Sequence, residues 1–154
     1  MPQGWRLHMM PILELVDKHG RAAEWITSMM IFVFGLTLLA PGSTMDTSVS
    51  YRAFIIVGLN DISLGLLALF IATNRLVALY RNGMWKRSPI IRGIGAVAGL
   101  GFWVGISFAF CWPYVAGISE APSTATVYIV AAFAEILAAY RSGIDVRNSR
   151  IAAG

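Results

Sequence analysis

The sequence predicts an all-α integral membrane protein, with four transmembrane helices arranged as two consecutive helical hairpins behind a short amphipathic N-terminal helix. Three observations predict it. Of the 154 residues, 57% are hydrophobic and 13% charged, against roughly 45–50% and about 25% in soluble domains. Four stretches of span length carry almost no charge, and a span needs roughly 20 apolar residues. The connection 74–92, NRLVALYRNGMWKRSPIIR, holds Arg75, Arg81, Lys86, Arg87 and Arg92 without a single acid, so it separates two apolar regions and pins both to one side of a bilayer.

Residues 1–24 form a cytoplasmic or interfacial N-terminal segment. Within it PILELVDKH has Pro11 at a first helical position and Gly20 past the end, the start and stop signals of a short helix. Ile12, Leu13, Leu15 and Val16 would lie in the headgroup layer; a partly ordered tail is the competing reading. The first apolar run starts behind Glu14, Asp17 and Glu24, and Pro41 follows Ala40, which argues against a cleaved signal peptide.

The first hairpin spans 25–73. Trp25 to Met45 is free of charge and closes on Pro41-Gly42-Ser43-Thr44, a turn signal. The second helix is expected from about Ala53 to Thr73, interrupted only by Asn60-Asp61, and onward through LVALY to Gly83. The second hairpin spans 93–140. Gly93 to Ser119 is uncharged and glycine-rich, with Trp112-Pro113-Tyr114 marking a kink or an interfacial exit. A fourth helix runs from about Ser123 to Tyr140, and 141–154 is read as a polar cytoplasmic tail.

Lys and Arg number three in the N-terminal segment, five in the connection and three in the tail, against one (Arg52) and none in the two outer loops. The positive-inside rule then places both termini in the cytoplasm, in what is read as a bacterial inner membrane. The net charge of +4 reports this orientation rather than a nucleic-acid partner.

Short matches recur in the same order along the chain. FGLTLLAP (34–41) resembles VGISFAFCWP (104–113), APGST (40–44) resembles APST (121–124), and LVALYRNG (76–83) resembles ILAAYRSG (136–143). Their shared order points to a duplicated hairpin whose halves are related by an axis along the membrane normal. Chance similarity between Leu-, Ala- and Gly-rich helices is the alternative.

Three sets of residues are candidates for function. Asn60, Asp61 and Glu135 are polar groups inside spans, where a charge costs roughly 2.5–3.5 kcal/mol on insertion scales. Measured from the outer ends, Asp61 and Glu135 lie about 12 and 17 Å deep, so the two acids would approach each other if the second and fourth helices touch. They would line a pore or subunit contact. Alternatively they are helix glue, satisfied by Thr27, Thr37, Ser63, Ser107 or a Trp N–H, with Arg141 also near Glu135.

Glycines form the second set. Gly58 and Gly65 leave a small face around Asp61, and Gly95-xxx-Gly99 is followed by Gly101-xxx-Gly105 with Ala109 extending the series. Small residues four apart let helices approach closely in lipid. Third, Arg75, Arg81, Lys86, Arg87 and Arg92 fix topology or hold anionic lipid.

Catalytic machinery is not expected. His8 and His19 lie outside the spans, Cys111 is the one cysteine, and no HExxH, CxxC, Walker or GxSxG pattern occurs, so no metal, cofactor or enzymatic activity is expected. The format (small, polytopic, short loops, Gly-rich faces, a basic tail) resembles that of phage holins, although no motif identifies a holin family. The first expectation is therefore a self-associating protein that permeabilises or remodels the inner membrane, its partners the lipid bilayer and further copies of itself. A non-catalytic accessory subunit of a larger membrane complex is the second, and a small proton- or cation-linked transporter or channel the third.

Overall fold

The computed structural model describes residues 22–81 and 88–151, leaving aside the side chains of 88, 89, 149 and 150. The expected amphipathic helix at 11–19, Lys86 and Arg87 fall outside the described residues. All regular structure described is helical: α1 (Ala22–Leu39), α2 (Thr44–Thr47), a 3-10 turn (Val49–Tyr51), α3 (Arg52–Ile56), α4 (Asp61–Tyr80), α5 (Ser88–Val115) and α6 (Thr124–Ile151). α1, α4, α5 and α6 are each long and apolar enough to cross a membrane. α1 packs chiefly against α4 and α5 chiefly against α6, while α5 also touches α4 and α6 touches α1.

The second span corrects the sequence reading. α3 stops at Ile56, and the chain turns through Gly58 at φ +83° before α4 begins at Asp61. Asn60 caps that start: its Oδ1 accepts the Ser63 N–H at 2.9 Å, and Ser63 Oγ accepts the Asn60 N–H at 3.0 Å. This reciprocal pair satisfies two donors a helix start leaves orphaned. Gly58 is thus a turn residue with open space where a Cβ would be, not part of a helix-packing face. At the other end of the chain α6 continues to Ile151, so most of the expected polar tail is helix.

Large apolar side chains lie on both the outside and the inside of the bundle. Phe70, Val130, Phe108 and Tyr140 project outward, while Ala68, Ala72, Ala96, Ala131, Ala132 and Ala138 are buried beside Ile31, Leu38, Trp103 and Ile106. Lipid is as apolar as leucine, so large side chains can face outward at little cost, and small residues let backbones close together. At the α1–α4 crossing, a Cβ on Gly35 would come within 3.0 Å of the Gly65 carbonyl oxygen.

The interior divides into two halves. Towards the α2–α3 loop it is aromatic: Phe34 on Phe102 (5.6 Å, edge-on), Tyr51 on Phe110 (5.0 Å, edge-on), Phe110 on Tyr128 (5.1 Å, edge-on) and Trp103 stacked on Tyr128 (5.5 Å). Towards the N-terminal end of α1, the same end as the start of α5, it is ionic.

Candidate functional site: a buried ionic layer

Five charged side chains from all four long helices meet in the ionic half. Arg75, in the last turns of α4, forms a two-pronged pair with Glu135 of α6. One nitrogen is on Oε1, and Nη2 donates to Oε2 at 2.6 Å. Arg75 and Glu135 are 5% and 0% exposed. The same Nη2 reaches Thr27 Oγ1 of α1 at 3.4 Å.

Nearer the starts of α1 and α5, Arg92 of α5 repeats the arrangement. Its Nε and Nη2 donate to the Glu24 carboxylate of α1 at 3.0 and 2.5 Å, and Nη1 donates to Asp145 of α6 at 2.9 Å. Arg92 and Glu24 are buried, and Asp145 is partly exposed.

The physical logic is desolvation. A lone charge taken into a low-dielectric interior costs several kcal/mol, and only a partner with good geometry offsets that cost. Arginine meets the requirement because its planar fork matches both carboxylate oxygens. The four buried charges, Glu24, Arg75, Arg92 and Glu135, are two of each sign, and the fifth member, Asp145, is partly exposed.

Glycine makes room for the Arg75–Glu135 pair. A Cβ on Gly95 would meet Arg75 Cγ at 2.8 Å, and one on Gly99 would run into the Arg75 guanidinium and Glu135 Oε1, the latter at 2.7 Å. Gly95-xxx-Gly99 is thus a flat bed on which an arginine lies, rather than a helix-to-helix contact. Gly101 and Gly105 point the other way, out of the bundle, with nothing within 4 Å of either added Cβ. Ala109 is buried.

Asp61, Arg75 and Arg92 take roles other than those expected. Asp61 is not an acid in mid-span: it is the first residue of α4, where its Oδ1 accepts the Met45 N–H at 3.1 Å. At 1.5 Å per residue it lies about 20 Å along α4 from Arg75, so Asp61 and Glu135 do not form a pair. Asp61 also faces Tyr51, whose phenol is pushed up to about 12, by burial first and then by Tyr128 and Asp61. Arg75 and Arg92, read as interfacial residues that set topology, are interior ion-pair members. Of the groups expected to satisfy the acids, Thr27 joins the layer, whereas Trp103 Nε1 is buried without a hydrogen-bond partner.

The sequence reading missed Glu24 and Asp145 as partners, and missed Arg75 as the partner of Glu135. A signal for the last was present. The match of 76–83 to 136–143 puts Arg75 and Glu135 at equivalent positions, directly ahead of each matched segment.

Among the described residues no group of three or more His, Cys, Asp or Glu side chains could hold a metal ion. No protein-family model, no curated protein and no solved structure matches the chain.

Proposed function

We propose that this is a small protein of the bacterial cytoplasmic membrane, built as two consecutive hairpins with both chain ends in the cytoplasm. It self-associates through α5 and permeabilises or remodels the bilayer in the manner of a holin. One observation carries the reading: Gly101 and Gly105 lie on the outward face of α5 with no side chain over them. Exposed glycines one turn apart sacrifice helix propensity and give close backbone approach in return, and in lipid that approach is what draws a second helix in. The four buried charges are matched among themselves, so an aqueous hole in this reading forms between copies rather than through one bundle.

The accessory-subunit reading rests on a different feature. Apolar grooves of about 420 Å³ between α1 and α6 and about 430 Å³ between α5 and α6 are open to the outside, and each could seat a foreign helix. A proton- or cation-linked transporter draws no support from Asp61, a helix-start residue, or from Glu135, occupied by Arg75.

The test is induced expression in a bacterial inner membrane with membrane potential and viability followed in time. Wild type should depolarise the cell abruptly, and Gly105→Leu should insert normally yet leave the potential intact. Gly99→Leu is unsuitable as the probe, because its side chain would break the Arg75–Glu135 pair. A wild-type protein that accumulates in the membrane and leaves the potential untouched would sink the permeabilising role and favour the accessory one.

A further inference from the structure

We propose that the α1/α4 and α5/α6 pairs are exchangeable units: when closure within a chain is penalised, the α1/α4 pair of one chain docks onto the α5/α6 pair of a second copy through the same ionic layer that joins them within a chain. The proposal rests on the self-association reading but uses a different surface from Gly101 and Gly105.

Both buried ion pairs cross between the two helix pairs. Arg75 of α4 meets Glu135 of α6, and Glu24 of α1 meets Arg92 of α5. The contact within α1/α4 is instead close and apolar, as at Gly35 and Gly65. Each pair is a continuous piece of chain, and a single stretch, 82–87, joins the two. Exchange of such a unit between identical chains needs no new interface, since the side chains that meet within one chain meet again between two.

Charge decides which units fit. α1/α4 offers Glu24 and Arg75, and α5/α6 offers Arg92 and Glu135. The base of each unit meets an acid of the other, so an unlike unit from a second copy presents the same complement as the one in the same chain. Tethering gives the partner in the same chain a high effective concentration, so exchange becomes dominant when closure within the chain is penalised.

Charge reversal supplies that penalty. In full-length Arg75→Glu the two acids face each other, and in full-length Glu135→Arg the two bases do. Co-expressed, these chains can relieve both clashes only by exchange. One interface then carries the reversed pair and the other the native pair. The two chains should carry different affinity tags and be extracted in mild detergent. Separately solubilised and mixed samples control for assembly after extraction.

Each single variant should be depleted from the membrane when expressed alone, and the doubly reversed chain Arg75→Glu/Glu135→Arg should recover by itself. The co-expressed pair should recover as a complex bearing both tags, at least about tenfold above either chain alone, the ratio that 1.4 kcal/mol of like-charge cost imposes. Adding Gly105→Leu to both chains should leave this recovery unchanged.

Recovery of the doubly reversed chain without recovery of the co-expressed pair would overturn the proposal. So would failure of both, since the positions would then not be read by charge. Membrane depolarisation is scored separately. A cell that depolarises although the co-expressed pair fails to recover refutes this exchange alone; recovery in a cell that never depolarises refutes the permeabilising role alone.

Discussion

In the half of the bundle that carries the start of α1, the four long helices are joined by Arg75–Glu135 and by Arg92 between Glu24 and Asp145. In the other half α1, the 3-10 turn, α5 and α6 are joined by Phe34, Tyr51, Phe102, Trp103, Phe110 and Tyr128. The difference between them is one of tolerance. Aromatic contacts are many, individually small and replaceable by lipid or by a neighbouring ring. The ionic contacts are few, and each one left unmatched exposes the full desolvation cost of its partner.

The sharpest way to break the comparison is to remove one charge and then both. Glu135→Leu leaves Arg75 buried without its carboxylate and should destabilise the fold by about 3–5 kcal/mol, measured by unfolding in bicelles. Arg75→Leu/Glu135→Leu should recover most of that loss, because two apolar side chains carry no desolvation cost. Equal damage from the single and double variants would show that the pair is not electrostatic in its effect.

A smaller effect is expected in the aromatic half. Phe110→Ala removes edge-on contacts to Tyr51 and Tyr128, each worth about 0.5–1.5 kcal/mol. Lipid does not drive the ring inward as water would, so the total loss should be about 1–3 kcal/mol in the same assay. A loss above that of Glu135→Leu would invert the ranking of the two halves.

The smallest effect distinguishes the halves by pH. Tyr51 titrates near 12 in the folded chain and near 10 when unfolded. A raised phenol favours the neutral form in the fold, so its contribution is fully present below pH 10. That contribution is lost as the pH climbs towards 12. The stability of wild type should therefore fall across that interval by more than that of Tyr51→Phe, and identical profiles would remove Tyr51 from the account.

Legibility in the sequence followed the range of the interaction. The four spans could be read from charge-poor runs alone, because crossing a bilayer is a requirement on each helix by itself. Even the break at 57–60 was legible in principle: Asn60 and Ser63 spell a helix start. It is masked because an apolar run on either side reads as one span. The glycine series was legible as small residues at helical spacing, but spacing does not tell a bed for an arginine from an outward face. Gly99 and Gly101 are two residues apart and meet opposite surroundings.

What the sequence determined by itself is composition along the chain: four helices apolar enough to cross a membrane, with Glu135 as an acid inside one of them. The tertiary structure alone decided which charges pair. Glu24 and Arg92 are 68 residues apart, and Arg75 and Glu135 are 60 apart. Their pairing depends on which helices become neighbours and at what depth each side chain enters the bundle. Burial then turned Arg75 and Arg92, two apparent surface cations, into interior ones, because a guanidinium that meets a carboxylate in the interior no longer needs the headgroup layer.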